Sequence, residues 1–70
     1  MAGMIQVIVN GAPHRFERPL SVVSVLEELQ MAGRRIAVER NGEIVPRGLH
    51  RDTLIENGDR LEIVVAVGGG

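Results

Sequence analysis

The chain has 70 residues, 44% of them hydrophobic and 24% charged, with a formal net charge of −1. Its length suits one small domain and excludes a second, and its composition is that of a globular protein rather than a disordered or fibrous one. The absence of cysteine excludes disulfides, thiolate metal sites and a cysteine nucleophile, and the even spread of basic and acidic residues argues against a nucleic-acid partner.

The beginning of the chain has the pattern of a β-hairpin. Apolar residues occupy every second position from Met4 to Asn10, which predicts a strand with one buried face. Gly11 and Ala12 form a short connection, Pro13 can open an edge strand, and His14 to Arg18 alternates again. Met1 to Gly3 precede this pattern and are a candidate vector-derived extension.

One amphipathic helix is predicted after the hairpin, from Val22 to Ala32. Ser21 can cap its beginning, and Gly33 supplies the left-handed backbone that commonly ends a helix. Residues at the spacing i, i+3, i+4 and i+7 form its apolar stripe: Val22, Val25, Leu26 and Leu29.

A second hairpin and a final strand follow. Ile36 to Arg40 and Glu43 to Val45 flank Asn41-Gly42, a dipeptide that favours a tight hairpin turn. The mixed segment 49–55 is predicted to be a connection with one short helical turn, and Asn57-Gly58-Asp59 to be another turn. The last strand then alternates almost to the end of the chain, so the order is strand, strand, helix, strand, strand, strand.

A single helix can cover only one face of the sheet, so an α+β fold with one open face is expected. The longest apolar runs, such as Ile63 to Val67, are too short to cross a bilayer. With no signal-peptide pattern at the start, we expect a cytoplasmic protein without a membrane partner.

The side chains offer little for catalysis. His14 lies on the predicted edge strand and His50 in a loop, and two histidines do not complete a usual zinc site. Glu27 and Glu28 are adjacent on the helix and diverge, so a solvated face explains them better than an acid-base pair. We therefore expect no catalytic residue, no metal site and no bound cofactor.

The three glycines at the C-terminus are the most informative feature. A frayed or foreign end is one explanation for Gly68, Gly69 and Gly70. The other is a backbone arm without side chains that enters a narrow site of another protein and presents the Gly70 carboxylate. A carboxylate is a poor electrophile, so chemistry on it requires activation by a partner that binds ATP.

Four segments carry a resemblance to a known family. They are Val-Asn-Gly at 9–11, Ser-Val-Val-Ser-Val-Leu at 21–26, Ile-Ala-Val-Glu-Arg-Asn-Gly-Glu-Ile-Val-Pro-Arg at 36–47, and Asn-Gly-Asp-Arg-Leu-Glu-Ile-Val-Val-Ala-Val-Gly-Gly-Gly at 57–70. With these the sequence resembles the small ubiquitin-like sulfur carriers of bacteria, most closely those of the thiamine pathway, the ThiS family. Ser24 departs from the family, whose members often have an acidic residue there.

The resemblance implies a β-grasp fold in residues 1–67, with the first and last strands parallel in the centre, and a flexible tail at 68–70. It implies that an E1-like adenylyltransferase uses ATP to adenylate Gly70, and that sulfur from a cysteine desulfurase replaces AMP to give a thiocarboxylate. Thiazole synthase then receives the sulfur. The chain is thus expected to be a carrier and not an enzyme.

Two alternatives stay open at this stage. The small subunit of molybdopterin synthase shares the fold, the diglycine and the chemistry, but its approach to the tail is usually aromatic and rich in proline. The second alternative is a β-grasp binding module without carrier function, in which the glycines are linker.

The parity of the last strand suggests where a partner docks. Leu61, Ile63, Val65 and Val67 are expected to face the helix, which leaves Val64 and Ala66 outward beside the tail. Ile8 has the same outward parity, while Arg60 and Glu62 could orient a partner by charge. The predicted partner-binding residues are therefore Ile8, Arg60, Glu62, Val64, Ala66 and Val67, the last at the start of the tail.

Overall fold

A computed structural model describes residues 3–66, which contain one α-helix and seven strands. The strands, in chain order, are β1 (Ile5–Val9), β2 (Ala12–Phe16), β3 (Leu20–Ser21), β4 (Ile36–Arg40), β5 (Glu43–Val45), β6 (Leu54–Ile55) and β7 (Arg60–Val65). Helix α1 (Val22–Glu28) follows β3, and a 3₁₀ turn (Arg47–Leu49) follows β5. The predicted domain end at residue 67 and the tail 68–70 lie outside the described residues.

Five strands form one mixed sheet in the order β2-β1-β7-β4-β5. The first and last strands run parallel in its centre, with Ile8 opposite Arg60 and Val9 opposite Leu61. The other pairs of this sheet are antiparallel. The central parallel pair that the resemblance implied is therefore confirmed.

Both predicted hairpins are present, but the first turn lies one residue earlier than expected. Asn10 and Gly11 have φ values of 50° and 84°, and Asn41 and Gly42 have 52° and 86°. Positive φ at both corner residues is the conformation that Asn-Gly favours in two-residue hairpins. Because the first turn uses Asn10 and Gly11, β2 begins at Ala12 rather than Pro13, and it ends at Phe16 rather than Arg18.

Helix α1 is shorter than predicted and ends at Glu28 rather than Ala32. Its beginning is as expected, with the Ser21 hydroxyl accepting a hydrogen bond from the Ser24 N–H at 3.1 Å. At its end, Gln30 takes a φ of 61°, and the N–H groups of Gln30 and Met31 donate to the carbonyls of Glu27 and Leu26. This is a Schellman cap, so Gln30 has the role predicted for Gly33.

The core is aliphatic apart from Phe16 and lies between α1 and the inner face of the five-stranded sheet. Alternate residues of β1 and β7 enter it, so the inward parity predicted for Leu61 and Ile63 is confirmed. Its buried members are Ile5, Val7, Val9, Phe16, Val22, Val25, Leu26, Val38, Val45, Ile55, Leu61 and Ile63.

The short strands β3 and β6 pair with each other, and sequence analysis did not predict them. Each has two residues, too few to show an alternating pattern. Ile55 of β6 is nevertheless fully buried, which fastens the long connection onto the core. The short helical turn expected in this connection is the 3₁₀ turn, two residues earlier than predicted.

Candidate functional site

Strand β7 ends at Val65, shortly before residues 67–70, which lie outside the described residues. It is flanked by β1 on one side and β4 on the other. Beyond its last residue, the Ala66 N–H donates to the Arg35 carbonyl at 2.8 Å. The point from which the predicted tail starts is thus held by the centre of the sheet.

The Asn10 side chain continues the parallel ladder after β1 has ended. Its Oδ1 accepts from the Ile63 N–H at 2.7 Å, and its Nδ2 donates to the Ile63 carbonyl at 3.1 Å. An amide side chain carries the same donor and acceptor as a peptide group, so it can replace one residue of a strand. The Asn10 bridge fixes the register of β7 three residues before Ala66.

A second network holds the beginning of β7. The buried Asp59 carboxylate accepts from Arg40 Nε at 2.8 Å, from Asn41 Nδ2 at 3.0 Å and from the Glu56 N–H at 2.9 Å. Asn41 Oδ1 in turn accepts from the Arg60 N–H at 2.9 Å. The turn before β7 is thereby tied to the β4-β5 hairpin.

This network changes the acidity of Asp59. Burial raises the pKa of the carboxyl group, but the hydrogen bonds from Glu56, Asn41 and Arg40, together with the Arg40 charge, outweigh burial and lower the pKa below 3.8. Asp59 is therefore a structural anion that stabilises the fold in its charged form.

The face of the sheet opposite α1 is open on β7, β4 and β5. Val64 stands opposite Ala37, and Glu39 stands between Glu62 and Ile44 in the same row. Val64 and Ile44 are 63% and 62% exposed. We call these five residues the outer cluster, which combines two large apolar side chains with two carboxylates.

The structure brings only part of the predicted docking residues together. Glu62 and Val64 belong to the outer cluster, and Ala66 is exposed two positions beyond Val64. Ile8 instead lies opposite Arg60 at the other end of β7, about 13 Å from Val64 at 3.3 Å per residue. Val67 lies outside the described residues. The alternation of residues along β1 placed Ile8 on the correct face of the sheet. Alternation within one strand does not show which residue of the neighbouring strand lies opposite.

Sequence analysis missed Ala37, Glu39 and Ile44, which complete the outer cluster. Alternation within the predicted strand does point Ala37 and Glu39 away from the core. The sequence does not show that β7 pairs with β4 as well as with β1.

Two like charges face each other in this cluster. Glu39 and Glu62 are direct antiparallel partners, an arrangement that destabilises a sheet. Among residues 3–66, salt bridges are made by Arg40, to Glu56 and Asp59, and none involves Glu39 or Glu62. Folding alone does not account for this pair.

The comparisons with known proteins identify the family. Residues 7–70 match the model of the ThiS family. This chain belongs to the ThiS family. The match includes the three terminal glycines, and it confirms the family inferred from the sequence motifs.

Proteins similar to this ThiS-family chain are of two lengths. It is 39% identical over 66 residues to a thiazole synthase of Paramagnetospirillum magneticum, covering 94% of this chain and 20% of that protein. It is 38% identical to the uncharacterized protein ycf40 of Porphyra purpurea, covering 94% and 93%. The chain thus spans about a fifth of the length of the thiazole synthase that it matches and nearly all of the ycf40 protein.

Solved structures agree with the family assignment. A crystal structure of a thiamine biosynthesis protein (ThiS) from Geobacter metallireducens superposes with a TM-score of 0.81 at 32% identity, covering 94% of this chain and 100% of that one. A solution structure of a thiamine biosynthesis protein from the same organism gives 0.77. The mixed five-stranded sheet with one helix is the ubiquitin-like β-grasp fold of these ThiS proteins.

The histidines of this ThiS-family chain are accounted for by packing. His50 is buried, with Nε2 at 3.0 Å from the Val45 carbonyl, whereas the sequence suggested only a loop position. The His14 ring stacks on that of Phe16 at a centroid distance of 6.5 Å. Within residues 3–66, no three His, Asp or Glu side chains are grouped to hold a metal ion. None of the helices in that range is long and apolar enough to span a membrane.

Proposed function

We propose that this chain is a sulfur carrier whose reactive group is the C-terminal carboxylate of Gly70. The observation that carries the proposal is the ThiS-family match, which runs through Gly68, Gly69 and Gly70 to the end of the chain. The described body supplies a central strand, β7, that ends at Val65, shortly before these residues. A partner enzyme therefore supplies the catalytic groups, and the carrier is a reactant.

The proposed reaction has two steps. In the first, an E1-like enzyme uses ATP to convert the Gly70 carboxylate into an acyl adenylate, with release of pyrophosphate. In the second, the outer sulfur of a persulfide on a cysteine desulfurase displaces AMP, and a thiol reductant then cleaves the resulting acyl disulfide to leave a thiocarboxylate. Because the first step consumes ATP, the proposal implies that the carrier works in the cytoplasm.

The proposed acceptor of the sulfur is thiazole synthase. Two relatives named thiazole synthase, from Paramagnetospirillum magneticum and Magnetococcus marinus, contain a stretch similar to this chain as 20% of their length. Fusion of a carrier-like domain to a thiazole synthase supports a physical association of the two activities. These relatives favour thiazole formation over the molybdopterin alternative.

The outer cluster is the proposed docking surface. Val64 and Ile44 offer apolar area, and Glu39 and Glu62 offer charges that select a basic counterpart on the enzyme. The cluster lies on β7 itself, so a partner that binds it holds the strand from which the tail starts. Arg60 and Ile8, at the far end of β7, lie outside the proposed contact.

Removal of Gly69 and Gly70 tests the role of the tail. We expect the shortened protein to fold normally, because the packed core lies between residues 5 and 63, and to lose ATP-dependent adenylation completely. The measurement is ATP–pyrophosphate exchange with the adenylating enzyme, beside circular dichroism of both proteins. A chain shortened by residues 1–3 is the control and should be adenylated normally. Equal exchange by the Gly69–Gly70 deletion would refute the carrier function.

Intact-mass spectrometry tests the product. After incubation with the adenylating enzyme, ATP, a cysteine desulfurase and cysteine, the full chain should gain the mass difference between sulfur and oxygen. The gain should be localised to the C-terminal peptide. An adenylated chain that never acquires this mass would limit the proposal to activation without sulfur transfer.

A further inference from the structure

A cleft on the helix side of the sheet carries an excess of positive charge. It lies between α1, the segment before β4 and the 3₁₀ turn, with a volume of about 450 Å³. Three exposed arginines line it, and Asp52 is its one carboxylate. Its apolar lining comes from Val23, Leu26, Ala32 and Ile36. We call it the arginine cleft after Arg34, Arg47 and Arg51.

The charge of this cleft differs from that of three other clefts formed by the described residues. One of these is lined by Arg15 and Arg18 together with Glu17 and Glu28, and another by Arg60 with Glu62. A third combines Arg40 with Glu43. Each of these sets is balanced, whereas the arginine cleft has a formal charge of +2 from its arginines and Asp52.

The arginines are not used by the fold. In the described part of the chain, no carboxylate lies within salt-bridge distance of any of the three, since the ion pairs there belong to Arg40. Gathering like charges without partners raises the energy of the isolated protein. The guanidinium groups remain available to a ligand.

The cleft adjoins the start of the tail. Ile36 lines it and is also the partner of Val65 in the sheet. Ala66, which follows Val65, donates a hydrogen bond from its N–H to the carbonyl of Arg35. Arg35 is the neighbour of the cleft residue Arg34 in the sequence. The last described residues before the tail therefore lie beside this cleft.

Building on the proposed function, we infer that the arginine cleft binds a carboxylate-bearing segment of the enzyme that receives the tail. Guanidinium groups match carboxylates in bidentate geometry, and the apolar lining accepts a neighbouring aliphatic side chain. A nucleotide fits less well, because Asp52 would repel its phosphates and no aromatic residue lines the cleft for a base to stack on. The enzyme surface is thus expected to be acidic here and basic at Glu39 and Glu62.

The test compares two double variants that remove the same charge. R47Q/R51Q should raise the KM of the adenylating enzyme for the carrier about tenfold, as expected for two partly exposed ion pairs, and leave kcat unchanged. R15Q/R18Q, in the balanced cleft that Glu17 and Glu28 also line, should leave both constants unchanged. The KM of the wild type should rise with salt more steeply than that of R47Q/R51Q. R47K/R51K, which keeps the charge, should recover part of the loss.

The outcomes separate this inference from the proposed function. Equal KM values for the two Gln variants, with a wild type that is adenylated, would refute the arginine cleft alone. Absence of adenylation of the wild type would refute both. Saturable binding of inorganic phosphate or ATP to the carrier alone, shifting the amide resonances of Arg47 and Arg51, would also overturn the inference, since the cleft would then be a phosphate site. Melting temperatures within 2 °C of each other, about 0.5 kcal/mol or less, verify that the variants fold.

Discussion

Three polar side chains in this small domain form hydrogen bonds with backbone groups of β7 or of the turn before it. Asn10 replaces a strand residue beside Ile63, Asn41 accepts a hydrogen bond from the Arg60 N–H, and Asp59 accepts three hydrogen bonds at the turn before β7. A chain of this length buries only about 60% of its unfolded surface, so its apolar core is small. Hydrogen bonds from these side chains therefore matter for holding β7 in place.

Asp59 should make stability depend on acidity. Since its folded pKa is lowered, its contribution is full above the unfolded value near 3.9 and is lost as the pH falls through the folded value. We expect Asp59→Asn to lower the free energy of unfolding by about 2 kcal/mol at neutral pH, because Arg40 loses the nearer of its two carboxylate partners. The difference from wild type should shrink below about pH 4.

Urea denaturation between pH 2.5 and 7 measures this effect. Asp52→Asn, at an exposed carboxylate, is the control and should change stability by less than about 0.5 kcal/mol at every pH. A constant gap between wild type and Asp59→Asn across the whole range would show that the charge of Asp59 has no structural role.

Gln30 shows how a helix end can be missed in a sequence. The sequence contains a glycine at position 33, the usual residue for a left-handed cap, yet the backbone reverses at Gln30 instead. The apolar stripe explains the difference. It ends at Leu29, and half-buried Met31 packs onto the core only if the helix has already stopped.

The left-handed conformation of Gln30 predicts a stabilising substitution. Gln30→Gly should raise the free energy of unfolding by about 1 kcal/mol, because glycine adopts a φ of 61° without strain. Gln30→Ala, which keeps a Cβ atom, should be close to neutral. Chemical denaturation of the three proteins checks the order, and a Gly variant less stable than wild type would contradict the Schellman assignment.

The Glu39–Glu62 pair predicts opposite effects on folding and docking. Glu39→Gln should raise the free energy of unfolding by about 0.5 kcal/mol, because it removes repulsion between direct cross-strand partners. The same substitution should slow association with the adenylating enzyme, since a steering charge is lost. Denaturation and stopped-flow association measure the two effects.

Glu28→Gln, on the exposed side of α1, is the matched control and should change neither quantity appreciably. Faster association of Glu39→Gln would mean that the enzyme surface facing the pair is acidic.

Most of the fold could be predicted from the sequence, because β1, β4, β7 and α1 have clear periodic patterns and their turns carry Asn-Gly or Asn-Gly-Asp. The proposed docking surface could be predicted only in part. Val64 and Glu62 follow from the parity of one strand, whereas Ile44 and Glu39 depend on which strands are neighbours. The arginine cleft joins Arg34, in the segment before β4, with Arg47 and Arg51 at the 3₁₀ turn, and no local pattern links the two segments.

For the molecule as a whole, the main exposed feature is the sheet face that the helix does not cover. Val64→Glu should weaken binding to the adenylating enzyme about tenfold, because it places a charge in the apolar part of the outer cluster. Its melting temperature should stay within a few degrees of wild type, since Val64 is 63% exposed.

Leu54→Glu is the matched control for Val64→Glu. Leu54 is also largely exposed, at 51%, but lies in the separate β3-β6 sheet. Isothermal titration calorimetry of both variants with the enzyme decides the assignment. Equal weakening would show that the effect arises from net charge rather than from the site, and a large loss of stability in Val64→Glu would assign Val64 to the core.

The hydrogen bond of Ala66 also sets a distance. Ala66 is bound to Arg35, and four residues later the chain reaches Gly70, at most about 14 Å away when fully extended. Under the proposed function, each enzyme that acts on the carrier must place its catalytic centre within that distance of Ala66. Adenylation and sulfur transfer therefore share one upper limit on reach.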